Sequence, residues 1–339
     1  MSTLGVGIIG TGTWGTVHTR TYGGIEGVKV AGVADIVAER AEKLAKEAGA
    51  KAYIDYRDLL AEDAIQAVSI VTPDFAHAEI ALAAAETGKH ILCEKPLAMT
   101  VSECEAIVAA AAETGAKLMV DFHARWSPPM YKARRAIEKG EIGVPQHVYY
   151  RLNDRIFVPT EMLSWAAQST VMWFIGSHSI DTVRWLLDDE VARVYAVARS
   201  EVLEGMGIDT PDYYQATLHF RSGATAQLEN SWILPNSHPN IIDLKCQVVG
   251  SNGALYMDAS HNRTLEKYTE TEAMYPDILV MPTVYGRQMG FAAESIRHFA
   301  ECARDDKELL VTGHDGLQVT KAICAIEESV RTGQPVTID

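Results

Sequence analysis

A lysine that follows a short apolar run is the residue of this chain best suited to do chemistry. Lys95 stands in Glu94-Lys95-Pro96, directly after His90-Ile91-Leu92-Cys93. In an open α/β sheet the carboxyl ends of the strands border the crevice in which a dinucleotide binds. An ammonium group there could stabilise negative charge that develops on an oxygen as hydride leaves. The position therefore indicates hydride chemistry on a small polar substrate.

The start of the chain carries a turn suited to such a cofactor. The strand Val6-Gly7-Ile8-Ile9 leads into Gly10-Thr11-Gly12-Thr13-Trp14-Gly15, a G-x-G-x-x-G sequence that precedes a helical stretch. Asp35 follows about 20 residues after the last glycine and would accept hydrogen bonds from the adenosine ribose. Its charge would repel a 2′-phosphate and the adjacent Ile36 offers no cation, so NAD is favoured over NADP. A Rossmann-like scaffold without nucleotide is the alternative.

Two patterns of apolar residues predict two domains. Over the first 120 or so residues, short apolar runs alternate with helical stretches rich in Ala and Glu, which is typical of a doubly wound parallel sheet, the Rossmann fold. After Arg125, long strand candidates follow one another with short turns, which indicates an α+β domain with a large, mostly antiparallel open sheet. We expect a dinucleotide-binding domain at 1–124 and a substrate-binding and oligomerisation domain at 125–339. The closing helices, predicted at Gly290–Arg304 and Gly316–Thr332, could pack back on the first domain.

The predicted elements can be given as ranges. Strands are expected at Leu4–Ile9, Val28–Ala34, Val68–Thr72, Lys89–Cys93, Lys117–Phe122, Val144–Asn153, Arg193–Arg199, Tyr213–Phe220, Ala224–Trp232, Ile242–Val249, Ala254–Met257 and Thr264–Tyr268. The other helices are expected at Val37–Ala48, Ala76–Thr87, Val101–Thr114, Met130–Lys139 and Val171–Leu187.

Composition narrows the class of protein. The net charge of −15 argues against nucleic acid or an anionic membrane as partner, because phosphate would be repelled. No apolar run approaches the length of a membrane span. The five cysteines show no C-x-x-C spacing, so we expect reduced thiols, a cytoplasmic protein and no metal site.

The motifs taken together resemble the Gfo/Idh/MocA family, the relatives of glucose–fructose oxidoreductase and inositol 2-dehydrogenase. The resemblance covers nearly the whole chain. It is carried by the glycine turn, Asp35, Thr72-Pro73, Glu94-Lys95-Pro96, the segment from Phe122 to Trp126, and Gly176-Ser177-His178-Ser179-Ile180-Asp181. It implies an oxidoreductase that moves a hydride between NAD and a secondary alcohol or ketone of a sugar, inositol or related polyol.

The resemblance also implies roles for individual residues. Lys95 would bind the reacting oxygen, Pro96 would follow it through a cis bond, and His178 would exchange the hydroxyl proton. Asp181, three residues along the same helical face, could orient the His178 ring. A satisfied core histidine is the alternative for His178, and packing is the alternative for His77. The residues assigned to the cofactor are Gly10, Gly12, Thr13, Trp14, Gly15, Asp35, Thr72, Pro73, His77, Glu94, Lys95 and His123.

One position departs from the family pattern. Relatives commonly carry an aspartate four residues before the histidine, where this chain has Phe174. The substitution bears on the choice of substrate rather than on the cofactor. The substrate candidates are Arg125 and Trp232, followed by Arg155, Trp165 and Tyr285, and a packing or surface role is the alternative for each.

Three functions remain open at this point. The first is a polyol or sugar dehydrogenase. The second retains NAD and cleaves or epimerises a glycoside through transient oxidation. The third is a non-catalytic NAD-binding regulator. In each case we expect a homodimer or homotetramer, because a large open sheet has two faces to cover.

Overall fold

The computed structural model describes residues 3–260 and 264–338. These residues divide into two compact units. One comprises the described residues up to 126 together with 278–320, and the other comprises the described residues of 127–277 together with 321–338. The boundary predicted at 124/125 stays a prediction.

The strands and helices follow in chain order. The first group is β1 (Leu4–Ile9), α1 (Thr13–Gly23), β2 (Val28–Ala34), α2 (Ala38–Ala48), β3 (Lys51–Tyr53), α3 (Tyr56–Leu60), β4 (Ala67–Ile70), α4 (His77–Glu86), β5 (His90–Cys93), α5 (Val101–Thr114) and β6 (Leu118–Val120). The second group is α6 (Pro128–Glu138), β7 (Pro145–Arg155), α7 (Ser177–Leu187), β8 (Val191–Arg199), α8 (Val202–Gly205), β9 (Tyr213–Phe220), β10 (Thr225–Leu234), β11 (Ile242–Gly250), β12 (Ala254–Asp258), β13 (Lys267–Tyr268) and β14 (Ala273–Met274). The last group is β15 (Thr283–Val284), β16 (Arg287–Gln288), α9 (Phe291–Asp305), α10 (Gly313–Thr332) and β17 (Val336–Thr337).

The first unit is built on a parallel sheet of six strands. Their order is β3-β2-β1-β4-β5-β6, which is the strand order of the dinucleotide-binding Rossmann fold. The order reverses between β1 and β4, so the ends of these two strands form the switch point at which such folds bind ligands. The segments after β1, β4 and β5 therefore leave the sheet at one edge. The Rossmann prediction is confirmed.

The second unit is built on a mixed sheet of seven strands. Their order is β12-β11-β7-β10-β9-β8-β17, and only β7 and β10 among them pair in parallel. α7 packs on β7 and β10, and the buried side chains of one face, such as Tyr150 and Leu228, lie beneath it. The opposite face carries polar side chains, among them Gln227 and Lys245. The predicted mostly antiparallel sheet is confirmed.

Some local features differ from the predictions. The helix predicted over Val171–Leu187 is present, but Met172–Gly176 form a π-helix and the α-helix begins at Ser177. The strand predicted over Thr264–Tyr268 shrinks to β13, a two-residue strand paired with β14. The sequence analysis also missed β3 and α3, because elements of three and five residues are too short to show a period.

No helix in residues 3–260 and 264–338 combines the length and the apolar character that crossing a membrane requires. The five cysteines carry free thiols, and Cys324 alone among them is not fully buried.

Candidate active site

The turn after β1 is built around two glycines that cannot carry a side chain. Gly10 has a φ of 104°, and a Cβ there would lie 2.6 Å from the carbonyl oxygen of Val71. A Cβ on Gly15 would lie 2.3 Å from the carbonyl oxygen of Gly10, so α1 can approach the turn closely only with glycine. A Cβ on Gly12 would meet no atom within 4 Å, which leaves open space beside the first turn of α1. Backbone amides at such a helix start suit a pyrophosphate.

Asp35 is oriented by the same turn. Its Oδ2 accepts hydrogen bonds from the Thr11 amide (3.0 Å) and the Thr11 hydroxyl (2.6 Å), and its Oδ1 accepts the Val37 amide (2.9 Å). A carboxylate has about four acceptor positions, so it can still accept from a ribose hydroxyl. The side chain of Ile36 points into solvent, 89% exposed. The residues present therefore fit NAD.

His77 joins the segments that follow β4 and β5. The ring is fully buried, its Nδ1 lies 2.6 Å from the Pro96 carbonyl oxygen, and its Nε2 lies 2.9 Å from that of Thr72. These contacts place Thr72-Pro73 against the segment that carries the candidate lysine. They support the packing role that the sequence left open, and a cofactor contact by His77 stays a prediction.

Lys95 lies at the end of β5, buried to 6% exposure, and the Lys95–Pro96 peptide bond is cis. Its backbone N–H donates to Oε2 of Glu94 at 3.3 Å. The other oxygen of this carboxylate, Oε1, accepts from His18 Nε2 at 3.3 Å. Glu94 thus lies between the candidate lysine and the helix α1.

A buried polar network surrounds Glu94. His18 Nε2 also lies 3.7 Å from Oδ2 of Asp121, and its Nδ1 lies 3.1 Å from the Ser69 hydroxyl. The Ser69 hydroxyl meets the Tyr22 hydroxyl at 2.7 Å, and Ser295 donates to Oδ1 of Asp121. The ligand-capable atoms of His18, Glu94 and Asp121 lie within 4.8 Å of one another. Hydrogen bonds engage both ring nitrogens of His18, both oxygens of Glu94 and Oδ1 of Asp121, and we interpret the network as a hydrogen-bonded support.

Burial and charge act in opposite directions on Glu94. Burial disfavours the ionised carboxyl, but the hydrogen bond from His18 and the charges of His18, Lys95 and His123 outweigh it and lower the Glu94 pKa. The group therefore stays ionised in the interior. His18 and Asp121 were missed by the sequence analysis. One feature of the sequence could have indicated His18: it lies three residues after Gly15, on the helix that follows the glycine turn.

His123 and Trp14 form the rim of this network. Their rings stack with centroids 5.1 Å apart, and His123 Nδ1 lies 3.9 Å from Oδ2 of Asp121. The ring of Phe291 also packs on His123, with the two ring centroids 5.6 Å apart. Both residues were predicted to contact the cofactor, and the structure brings them together.

His178 lies in the first turn of α7 and is 9% exposed. Asp181 is completely buried one turn further along, and its Oδ1 lies 4.0 Å from Arg184 Nη1. Arg184 in turn makes a bidentate ion pair with Glu190. Its Nε donates to Oε2 at 2.8 Å and its Nη2 donates to Oε1 at 2.6 Å. Asp181 therefore belongs to a buried charge network, and its predicted role in orienting His178 stays a prediction.

Phe174 lies in an aromatic cluster four residues before His178. Its ring centroid is 6.0 Å from that of Trp165 and 5.8 Å from that of Trp232. Trp232 is fully buried, and its Nε1 lies 3.3 Å from Oδ2 of Asp154. Apolar rings thus fill the position that carries an aspartate in relatives.

The carboxylate of Glu327 contacts the start of the segment that carries Phe174 and His178. Oε1 of Glu327 accepts from the Thr170 hydroxyl at 3.2 Å, and the Tyr214 hydroxyl lies 3.1 and 3.0 Å from the two Glu327 oxygens. The Thr170 carbonyl oxygen accepts the Phe174 amide at 2.9 Å. Burial raises the pKa of Glu327, and the two hydroxyls offset this in part.

The other predicted substrate residues lie apart from one another in the chain. Arg125 donates to the Leu310 carbonyl oxygen and pairs with Asp315 at 2.8 Å. Tyr285 is fully exposed, with a φ of 49°, between β15 and β16. Arg155 ends β7 and is half-buried. Substrate contacts by these residues stay predictions.

The fold and the lysine-bearing segment define a class, the nicotinamide-dependent oxidoreductases with a Rossmann domain. The family model described as an oxidoreductase family with an NAD-binding Rossmann fold matches residues 4–122, and the GFO/IDH/MocA C-terminal domain model matches residues 130–256. The chain belongs to the Gfo/Idh/MocA family of oxidoreductases, which confirms the resemblance.

Individual relatives cover the chain almost completely. An uncharacterized oxidoreductase, YrbE, of Bacillus subtilis (strain 168) is 31% identical over 98% of this chain and 96% of its own. The NAD-dependent scyllo-inositol 2-dehydrogenase of the same strain is 30% identical over 98% and 95%. The crystal structure of GenD2 from gentamicin A biosynthesis, solved with NAD, has a TM-score of 0.89 at 22% identity and covers 100% of this chain and 97% of that one. The similarity to GenD2 shows a shared fold alone.

Proposed function

We propose that this NAD-dependent oxidoreductase dehydrogenates a secondary alcohol of an inositol or a related polyol. The observation that carries the proposal is Lys95, a buried lysine at the end of β5, held through Glu94 beside the dinucleotide turn. The name of the scyllo-inositol 2-dehydrogenase relative supports the substrate class. A cyclic polyol carries several secondary hydroxyls that such a group could bind.

Each residue of the proposed mechanism has one task. NAD supplies the hydride acceptor when it is bound. Lys95 donates a hydrogen bond from Nζ to the reacting oxygen and stabilises the negative charge that develops there. A ring nitrogen of His178 takes the hydroxyl proton. We propose that both residues take part in the same reaction.

The substrate contacts follow from the side-chain chemistry. Trp165 offers an aromatic face, which suits the C–H face of a polyol ring. Because Phe174 stands where relatives commonly have an aspartate, this region lacks that carboxylate. The substrate should therefore present fewer hydroxyls here than the substrate of a relative that has the aspartate. Arg125 and Trp232, the first candidates from the sequence, remain candidates, as do Arg155 and Tyr285.

A polyol panel tests the proposed function. Purified protein mixed with NAD and single inositols or sugars should form NADH in proportion to the oxidised product. Products that form without net NADH, together with NAD that co-purifies, would instead support the NAD-retaining epimerising or cleaving enzyme. Absence of turnover with every member would support the regulator.

We also propose that the protein is a cytoplasmic homodimer or homotetramer. The open face of the second sheet supports assembly, because Tyr195, Val197 and Tyr256 are 43%, 42% and 75% exposed there. The free thiols of all five cysteines support a reducing compartment. Light scattering after size exclusion should give a mass of two or four chains, and a monomer at micromolar concentration would contradict the assembly.

A further inference from the structure

We propose that His18 is a positioning residue for Lys95. His18 holds one oxygen of the Glu94 carboxylate, and the other oxygen of that carboxylate holds the backbone of Lys95. The kinetic part of the test rests on the proposed dehydrogenase function, and the spectroscopic part does not.

The connection consists of two hydrogen bonds in series. His18 Nε2 lies 3.3 Å from Oε1 of Glu94, and the Lys95 N–H lies 3.3 Å from Oε2. A carboxylate only accepts, so the Nε2 must carry the proton in this contact. His18 belongs to α1, the helix that starts at the dinucleotide turn. The connection therefore links the candidate lysine to the element that would hold the cofactor.

The ring of His18 has little freedom to move. It is completely buried, and its Nδ1 lies 3.1 Å from the hydroxyl of Ser69 on β4. That hydroxyl lies 2.7 Å from the hydroxyl of Tyr22, one turn along α1. Both ring nitrogens are thus engaged, on opposite sides of the ring. A ring held in this way can fix the position of the Glu94 carboxylate as well as fill space.

His18 also lies between two carboxylates. Its Nε2 is 3.3 Å from Glu94 and 3.7 Å from Asp121, and these side chains are 4% and 0% exposed. Like charges so close in the interior would repel each other without a donor between them. Removal of His18 would therefore move Glu94 as well as release it. A displacement of about 1 Å in a catalytic group can cost roughly a hundredfold in rate.

The kinetic test compares His18→Asn and His18→Leu with Glu94→Gln. Both His18 variants should lower kcat by about 10- to 100-fold, with a smaller loss for Asn because it keeps a donor. The dissociation constant of NADH should change less than kcat does, because the glycine turn is intact. The Glu94→Gln and His18→Leu substitutions combined should cost little more than Glu94→Gln alone, because the two residues act in one path.

His298→Asn is the matched control. His298 is a half-buried histidine of the same unit, and its Nε2 accepts the Leu310 amide at 3.1 Å, in a contact with no link to Glu94. This variant should lose stability without a specific fall in kcat. If the His18 and Glu94 effects add fully, or if His18→Leu lowers only the melting temperature, the proposal is overturned.

A direct readout of Lys95 keeps the test independent of turnover. Lysines dimethylated with 13C-formaldehyde give separate methyl signals, and the Lys95 signal is assigned by its loss in Lys95→Arg. The signal should shift in His18→Asn and in Glu94→Gln and should stay in place in His298→Asn. If wild-type protein oxidises no polyol, the proposed function fails while this comparison still decides the role of His18. An unmoved Lys95 signal in both variants would overturn the proposal, and the Glu94→Gln comparison serves if His18→Leu fails to fold.

Discussion

The carboxylate of Asp35 is held in one orientation by donors on both of its oxygens. Thr11 donates twice to Oδ2, and the Val37 amide donates to Oδ1. The negative charge at the end of β2 is thus fixed in place and cannot turn away from a ligand. A 2′-phosphate in the same place would add a second negative charge within a few ångströms. We therefore propose that the side chain selects between the two nicotinamide cofactors by charge.

Asp35→Asn removes this charge and keeps the shape of the side chain. The ratio of kcat/KM for NADP to that for NAD should rise about tenfold or more, which corresponds to about 1.4 kcal/mol of relieved repulsion. Initial rates with both cofactors measure the ratio. Asp35→Ser should act in the same direction, because it also removes the charge. An unchanged ratio in Asp35→Asn would show that Asp35 does not select the cofactor.

At the level of elements, Glu327 ties α10 to the start of the segment that carries Phe174 and His178. Burial raises the pKa of Glu327, so the folded protein holds a proton on this group above the pH at which the unfolded chain releases it. The stability from this group is complete below the unfolded pKa of about 4.5. It is lost as the pH rises through the folded pKa.

Glu327→Gln should therefore show a pH-dependent effect on stability. Gln cannot ionise, so the melting temperature of the variant relative to wild type should rise as the pH is raised above about 4.5, the unfolded pKa of Glu327. Thermal unfolding across this range measures the difference. Tyr214→Phe removes a hydrogen bond that lowers the Glu327 pKa, so it should strengthen the pH dependence. A constant difference between wild type and Glu327→Gln would contradict the account.

Residues that directly follow a strand could be placed from the sequence, whereas contacts between distant elements could not. The glycine turn, Asp35 and Lys95 could be placed because each follows an apolar strand, and the Rossmann strand order puts the ends of these strands at one edge. The His18–Glu94–Asp121 network could not be placed in this way. His18 and Glu94 are 76 residues apart, and a buried histidine has no periodic signature. The π-helix at Met172–Gly176 was missed because its apolar residues suit an α-helix equally well.

At the level of the whole molecule, the two candidate groups come from separate units. Lys95 belongs to the unit with the parallel sheet, and His178 belongs to the unit with the mixed sheet. We propose that the two side chains take part in one reaction, Lys95 as a cation and His178 as a proton acceptor.

A double-mutant cycle on the hydride-transfer step tests this claim most directly. Single-turnover formation of NADH is measured for wild type, Lys95→Ala, His178→Ala and the double variant, with the best polyol of the panel. Each single variant should be slower by about a hundredfold or more, and the double variant should be far faster than the product of the two losses implies, because groups that act on one transition state are not independent. Wild-type rates in Lys95→Ala, or losses that multiply fully, would contradict the account.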